Sequence, residues 1–312
     1  MSYLSEQEEI LKKKIIPQDA KEDFEDFWRN NVQWLRTIPL EIKRKKLVTP
    51  YDKTVTTWEI SYNTHDDTWI DAWLSYPAGA TEPLPCAVYF HGGSLQKELH
   101  LDIVATGISC FSMDVRGQGG TSIDRGVYHS GDLNGALMTR GVLDKNEFYM
   151  RNIYLDAIRS MDVVASLPEV DPQRIVTYGG SQGGGLSIVA SALSGHSQKC
   201  YTFVTSYCCL RQRTLLGSRI FNSTNGFLKK YPEHTETVFD VLTYFDVNNM
   251  VSLLKVPTVF ALGFADDVCL PHFVYSAYTH ATCEKSIHMY PFTPHCTPPA
   301  YRDMAYTEFA AM

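Results

Sequence analysis

Residues 177–190, TYGGSQGGGLSIVA, decide the fold of this chain, because they place five glycines around Ser181 where an apolar run begins. The segment RIVTYG before the serine is typical of a buried strand, and the segment GGLSIVASAL after it is typical of a helix. Gly179 and Gly183 stand two residues on either side of the serine, where Cβ atoms would collide in a sharp strand-to-helix turn. The pattern G-x-S-x-G therefore predicts a strained turn that presents the hydroxyl of Ser181 as a nucleophile.

Two more glycines, Gly184 and Gly185, fall in the first turn of the predicted helix, where each costs up to about 1 kcal/mol relative to alanine. We expect a close approach of this helix to the sheet to compensate that cost. The turn also directs the helix N-terminus and the backbone amide of Gln182 at the serine, where an oxyanion would form. The loop His91-Gly92-Gly93-Ser94, which follows the apolar strand CAVYF, offers the amide of Gly93 as the second oxyanion donor.

Strand-like and helix-like segments alternate along most of the chain. Such alternation builds a mostly parallel central sheet with helices on both faces, so we predict a single α/β domain over residues 1–312, with an N-terminal helix at 17–36. Two stretches, 115–146 and 208–250, interrupt the alternation and are interpreted as insertions over the carboxyl edge of the sheet, near the active site. The predicted strands are 54–62, 69–77, 86–91, 108–114, 174–179, 200–207, 256–263 and 285–291, and the other predicted helices are 147–167, 184–193 and 300–311.

A serine nucleophile needs a general base and an acid that orients it, in the chain order Ser, then Asp or Glu, then His. His295 fits the base because it follows the last predicted strand, whereas His288 lies within that strand and is interpreted as structural. Either Asp266 or Asp267 could supply the acid. We favour Asp266, because its place before an apolar–Cys–Leu–Pro continuation is the usual one for this acid, and we interpret Asp267 as a surface or capping residue.

Composition excludes several classes of partner. The net charge of −7 and the pI near 5.8 argue against nucleic acid as the main partner, and the short basic runs 12–14 and 43–46 are interpreted as solvated faces or loops. The N-terminus has no signal-peptide pattern, and no apolar run approaches the roughly 20 residues of a membrane span, so we expect a cytoplasmic protein without membrane contact. The eight cysteines show no CxxC pair and no metal-ligand spacing, which predicts reduced thiols and no metal site.

The stretch Arg116-Gly117-Gln118-Gly119-Gly120, taken together with the serine motif, resembles a known family. It is similar to the serine esterases of the acetyl xylan esterase and cephalosporin-C deacetylase family, which is carbohydrate esterase family seven and has the α/β-hydrolase fold. The resemblance spans most of the chain from about Asp52 onward and includes residues 141–175, 231–247 and 263–271.

This resemblance implies a serine carboxylesterase that removes acetyl groups from acetylated xylo-oligosaccharides and similar small acetyl esters, including cephalosporin C. It implies no metal or organic cofactor, and it implies a homohexamer, a trimer of dimers whose active sites face an internal cavity. Arg116 and Gln118 would support the loops near the site, and the guanidinium is expected to donate hydrogen bonds to backbone carbonyls. Gly179 and Gly183 would give structural support from the turn itself.

The chain departs from the family pattern at two positions. Cys296 follows His295 where the family carries Glu, and Gly93 stands where the family tends to carry Tyr. The backbone donor at Gly93 survives the change, but an aromatic wall of the substrate pocket is lost. We therefore expect these differences to affect substrate preference more than catalytic competence.

The main alternative function is an α/β-hydrolase of different specificity, such as another short-acyl esterase, a lactone hydrolase or a peptidase. A prolyl-type peptidase is disfavoured, because the chain has no room for a propeller domain and shows no acidic motif for a free amine. A binding protein that has lost its chemistry is also disfavoured, because serine, acid and histidine all stand in place.

Overall fold

A nine-stranded sheet forms the centre of the computed structural model, which describes residues 3–132, 135–217 and 221–312. Its strands are β1 (Ile42–Leu47), β2 (Val55–Asn63), β3 (Trp69–Pro77), β4 (Leu84–Phe90), β5 (Ser109–Met113), β6 (Val170–Gly180), β7 (Lys199–Phe203), β8 (Thr258–Gly263) and β9 (Lys285–Tyr290). They lie in the order β1-β2-β3-β5-β4-β6-β7-β8-β9. The pairs β1–β2, β2–β3 and β3–β5 are antiparallel, and all pairs from β5–β4 to β8–β9 are parallel.

Helices cover both faces of this sheet, as the alternation predicts. Those of the described residues are α1 (Tyr3–Lys12), α2 (Phe24–Thr37), α3 (Leu101–Val104), α4 (Tyr149–Ser166), α5 (Gln182–Leu193), α6 (Leu210–Leu216), α7 (Asn222–Lys230), α8 (Thr235–Thr243), α9 (Val247–Met250), α10 (Pro271–His280) and α11 (Pro299–Ala310). Within the described ranges, none of them combines the length and the apolar character that crossing a bilayer requires.

The buried core lies on both sides of the sheet. On one face, α2 and α4 bring Trp28 and Tyr154 against Phe245, with Trp28 and Phe245 at a ring-centroid distance of 5.7 Å. On the other face, Phe309 of α11 packs edge-on against Tyr201 of β7, with ring centroids 5.2 Å apart. Burial of large aromatic side chains on both faces fixes the helices to the sheet and so fixes the loops at its edge.

Two segments differ from the predictions for a tertiary reason. Residues 43–46 are exposed, in accord with their interpretation as a solvated face, but they belong to a strand that was not predicted: β1, which pairs with β2 at the edge of the described sheet. An edge strand with both faces near water shows no apolar alternation, and lysines there discourage pairing with another chain. The helix predicted at 17–36 begins only at Phe24. Before it, the Gln18 side chain and the Asp19 amide bind Asn248 and Asn249, which holds this segment in a non-helical form.

The predicted turn at Ser181 joins β6 to α5. Ser181 has φ 56° and ψ −124°, and non-glycine residues rarely adopt such a positive φ. A Cβ atom on Gly183 would overlap the carbonyl oxygen of Phe90 in β4, and one on Gly179 would lie 2.5 Å from the carbonyl oxygen of Gly183. The glycines on both sides of the serine are therefore required by close backbone packing.

The glycines in the first turn of α5 also have a packing reason. A Cβ atom on Gly184 would lie 2.7 Å from Oγ1 of Thr202 in β7, and one on Gly185 would lie 2.8 Å from the ring of Tyr207. Both distances are shorter than van der Waals contact allows. The expected close approach is therefore to β7 and to the loop that follows it.

We predict that Gly183→Ala lowers the free energy of unfolding by at least about 2–3 kcal/mol, because the new methyl group would overlap backbone rather than a movable side chain. The measurement is urea unfolding followed by circular dichroism.

The matched control is Gly226→Ala in α7, where an added Cβ would have no neighbour within 4 Å. Alanine there should raise the free energy of unfolding by about 0.5–1 kcal/mol through helix propensity. Equal stability of the two variants would contradict the close packing of α5 on β4.

Candidate active site

Loops that follow different strands meet at the carboxyl edge of the sheet around Ser181. Gly93 follows β4, Ser181 and Gln182 follow β6, and His295 follows β9. All four residues line one cavity of about 440 Å³, a volume within the range of small-molecule pockets. The tertiary structure thus brings together the predicted nucleophile, the predicted base and both predicted oxyanion donors.

Asp266 holds His295 from the loop after β8. Its Oδ2 lies 2.8 Å from Nδ1 of His295, and its Oδ1 accepts backbone hydrogen bonds from Val268 and Cys269, each at 2.8 Å. The carboxylate is buried, so its orientation is fixed by these bonds. Of the two candidate acids, the structure therefore brings Asp266 to the histidine, whereas Asp267 is exposed at the rim of the cavity.

The pKa of His295 reflects two opposing effects. Burial of the ring favours the neutral form, but hydrogen bonding to Asp266 and to the buried thiol of Cys269 favours the imidazolium more strongly. The result is a pKa raised from 6.5 to about 9. This site therefore stabilises a positive charge on the histidine. His288, by contrast, lies in β9 near the ring of Tyr301, as the structural interpretation requires.

A pair of side-chain amides connects the two oxyanion donors. Gln118 Nε2 donates to Gln182 Oε1 at 2.9 Å, and Gln182 Nε2 donates to Gln118 Oε1 at 3.0 Å. Gln118 Oε1 also accepts the backbone amide of Ser94, the residue after Gly93, at 2.9 Å. The hydroxyl of Tyr207 donates to Gln182 Oε1 at 2.7 Å. The loop after β4 and the start of α5 are therefore held at a fixed separation.

His91 shapes the same loop from inside. Its Nε2 accepts the backbone amide of Val115 at 2.9 Å, so its Nδ1 carries the proton and donates to the carbonyl of Gly92 at 2.7 Å. Burial lowers the pKa of His91, which favours this neutral form. His91 thus links the end of β5 to the loop that carries Gly93.

Arg116 supports the region in a different way from the one expected. Its buried guanidinium binds both carboxylate oxygens of Asp156 in α4, at 2.6 and 2.7 Å, and Asp66 and Thr64 in the β2–β3 turn, at 2.5 and 2.9 Å. The expectation of hydrogen bonds to backbone carbonyls is wrong, because a fully buried guanidinium is best stabilised by carboxylates in the matching fork geometry. Its role in the fold is to join α4 to that turn.

The two predicted insertions contribute to the site walls, although residues 133–134 and 218–220 within them lie outside the described residues. From 115–146, Leu137 and Met138 line a second cavity of about 450 Å³ that shares Gly93 and Gln182 with the first. From 208–250, Arg213 lines the first cavity. Ser181 is therefore flanked by a partly apolar pocket and a polar one.

Sequence reasoning missed three residues that shape the site: Tyr207, Cys269 and Arg213. Arg213 is buried, and its Nε and Nη1 donate to the carbonyls of Cys208 and Val268 at 3.0 and 3.1 Å. Burial disfavours a thiolate at Cys269, but the charge of Arg213 and the contact with His295 outweigh it and lower the pKa of this thiol. Only the apolar–Cys–Leu–Pro continuation after the acid hinted at Cys269. Tyr207 lies in the loop after β7 and Arg213 lies in α6, and neither is part of a recognisable motif.

Comparison with known proteins gives consistent matches over the chain. A family model described as acetyl xylan esterase matches residues 5–312. Acetyl esterase Axe7A of Xylanibacter ruminicola is 24% identical over 289 residues, which are 88% of this chain and 64% of that protein. This chain thus spans just under two thirds of that relative's length.

Solved structures match the whole chain. The acetyl xylan esterase from Paenibacillus sp. R4 superposes with a TM-score of 0.91 at 31% identity, covering 100% of this chain and 99% of that one. Acetyl xylan esterase 1 from Thermoanaerobacterium sp. JW/SL YS485 gives a TM-score of 0.89 at 27% identity, covering 100% and 98%. The predicted α/β-hydrolase fold and the predicted resemblance are confirmed, and the chain belongs to the acetyl xylan esterase family.

Proposed function

We propose that this protein is a serine carboxylesterase that removes acetyl groups from acetylated xylo-oligosaccharides and similar small acetyl esters, cephalosporin C among them. The observation that carries the proposal is the buried Asp266 carboxylate on Nδ1 of His295, in a cavity shared with the strained Ser181 turn. Membership of the acetyl xylan esterase family supports the acetyl ester as the substrate class.

In this mechanism, Ser181 Oγ attacks the acetyl carbonyl while His295 accepts its proton. Asp266 fixes the histidine tautomer and stabilises the imidazolium, in accord with the raised pKa of His295. The amides of Gln182 and Gly93 hold the oxyanion, each such donor contributing about 3 kcal/mol. His295 then protonates the leaving alcohol, and a water molecule repeats the cycle to release acetate.

The pockets support small substrates. The first cavity offers Arg213 and Asp267 as polar partners for a hydroxylated alcohol, and the second offers Leu137 and Met138 as apolar contacts. Gly93 adds no side chain between the two. By the resemblance, we further propose that the chain assembles as a cytoplasmic homohexamer, which native mass measurement would test.

We predict that acetyl esters exceed butanoyl and octanoyl esters of the same alcohol in kcat/KM, and that Ser181→Ala lowers the rate of acetate release on the order of 10⁴-fold or more. A serine-directed phosphonate should label Ser181, as peptide mass mapping would show. Ser206 lines the same cavity, so Ser206→Ala is the matched variant and should still be labelled.

Equal kcat/KM values for acetyl, butanoyl and octanoyl esters would contradict the assignment as a deacetylase. They would remain compatible with an ester hydrolase of broader specificity. Lactone or peptide cleavage in place of ester cleavage would favour the alternative specificities. If the phosphonate labelled the Ser181→Ala variant as well as the wild type, the assignment of Ser181 as the nucleophile would be wrong.

We predict an acid limb of kcat/KM above pH 6.5, because a general base must be neutral and the raised pKa of His295 keeps it protonated up to a higher pH. Activity should therefore fall as the pH is lowered through the raised pKa. Asp266→Asn removes the negative partner, so the limb should move to lower pH and the plateau should fall on the order of 10⁴-fold. The measurement is the pH profile of acetyl ester hydrolysis.

The control for this profile is Asp267→Asn, which removes a neighbouring exposed carboxylate and should move the limb far less. A profile shifted more by Asp267→Asn than by Asp266→Asn would show that the wrong acid has been chosen.

A further inference from the structure

We propose that Asp266, Cys269 and His295 form a binding site for a thiophilic divalent cation such as Zn²⁺, and that its occupation reversibly inhibits the enzyme. One oxygen, one sulfur and one nitrogen ligand atom of these residues lie within 4.8 Å of one another. Asp266 and Cys269 are buried, and the ring of His295 is partly exposed in the cavity. This inference rests on the proposed function, because it regulates the same site.

The ligand set is the first argument. Carboxylate, thiolate and imidazole together suit Zn²⁺ and similar soft or borderline cations better than Mg²⁺ or Ca²⁺, which select oxygen ligands. Three protein ligands with water in the fourth position are a common zinc arrangement, and the cavity beside His295 can hold such a water. A carboxylate and a thiolate also balance the two positive charges of the cation.

Entry of the cation requires His295 and Asp266 to separate. His295 Nδ1 donates a hydrogen bond to Asp266 Oδ2 at 2.8 Å. Two ligands of a tetrahedral zinc ion stand about 3.3–3.5 Å apart, given bonds of roughly 2.0–2.2 Å. The Asp266 carboxylate is fixed by two backbone amides, so the partly exposed His295 ring is the group that moves.

Cys269 takes part in no bond-making step of the proposed ester hydrolysis, yet it interacts with His295 and with Arg213. Its neighbour Arg213 is buried, and among the described residues it forms no ion pair with a carboxylate. The guanidinium Nη2 is likewise buried without a hydrogen-bond partner in the described part of the chain. A negative sulfur ligand at Cys269 would therefore have a cation beside it.

Inhibition follows from the imidazole tautomer. When the cation binds the Nδ1 lone pair, the ring keeps one proton, on Nε2: a neutral ring moves its proton there from Nδ1, and an imidazolium releases its Nδ1 proton to solvent. The Cys269 thiol also releases its proton to solvent. Nε2 then carries hydrogen and cannot accept the proton of Ser181. No oxidation or reduction occurs, and removal of the cation by a chelator returns the proton to Nδ1.

The test is calorimetric titration of full-length enzyme with ZnCl₂, together with the rate of acetyl ester hydrolysis at each Zn²⁺ concentration. The wild type should bind one Zn²⁺ per chain, lose activity at the same concentrations and recover with EDTA. Cys269→Ser and Cys269→Ala should each weaken binding and inhibition at least about tenfold. Cobalt(II) should give a thiolate-to-metal absorption band in the wild type and not in these variants.

The matched control is Cys296→Ser, which removes the exposed thiol next to His295 in sequence. This variant should bind Zn²⁺ and be inhibited like the wild type. Equal zinc affinity of the wild type and both Cys269 variants, or loss of inhibition in Cys296→Ser alone, would overturn the site. Thermal unfolding checks that each variant is folded. Zinc should raise the melting temperature of the wild type and of Cys296→Ser, and should raise that of the two Cys269 variants less at the same concentration.

Failure of this inference is distinguishable from failure of the proposed function. If the enzyme hydrolyses acetyl esters at a rate that Zn²⁺ does not change, the inhibitory metal site is overturned and the proposed esterase function still holds. If the protein has no esterase activity but binds zinc through Cys269, the metal site is supported. The proposal that zinc inhibits an esterase is then contradicted.

Discussion

The structure of the site depends on the strained backbone of Ser181, which hydrogen bonds hold from two sides. Its amide donates to the carbonyl of Phe203 at 3.1 Å, and its carbonyl accepts the amides of Gly184 and Ser206 at 3.0 and 2.9 Å. A non-glycine residue at positive φ costs about 1–3 kcal/mol, which persists only where the surroundings leave no alternative. Here β7, its following loop and α5 supply that constraint, so the nucleophile lies where sheet and helix meet.

Polar contacts hold the loops around the serine at defined separations. The paired amides of Gln118 and Gln182 fix the distance between the two predicted oxyanion donors. His91 connects one of these loops to β5, and backbone amides orient Asp266. Each buried polar group in this set has a partner, which is the condition for such a network to be rigid. Preorganised donors of this kind are what stabilises an oxyanion.

The two positions at which the sequence is expected to depart from the family pattern, Gly93 and Cys296, both line cavities that contain Ser181. Gly93 leaves the region between the two cavities without an aromatic wall, and Leu137 and Met138 provide the apolar surface there. Cys296 is exposed and lines a smaller cavity with Ser181 and His295. Asp266 and His295 are joined by a hydrogen bond, and Ser181 lines the same cavity as His295. We therefore expect these two positions to influence which acetyl ester fits more than they influence the contact between Asp266 and His295.

The sequence by itself indicated the strands of the parallel sheet, the helices α4, α5 and α11 and the residues Ser181 and His295, because periodicity and turn chemistry are local properties of the chain. It did not indicate α3 or α10. The glycines around Ser181 were predictable for the same reason, because a turn whose backbone packs too closely for Cβ atoms requires glycine at those positions of the motif. The sequence did not decide whether Asp266 or Asp267 is the acid that orients His295, because the loop conformation determines which of two neighbouring carboxylates points inward. It also missed β1, whose edge position removes the alternation that reveals a strand.

Only the tertiary structure decided the contacts between residues that are distant in the chain. The carboxylates around Arg116, the joining of Gln118 to Gln182 and the placement of Cys269 beside His295 depend on how loops from different strands meet. No local sequence pattern predicts such long-range contacts, because each is set by the register of the sheet and the packing of its helices. The sequence motifs therefore identified the reactive groups, and the fold determined which residues surround them.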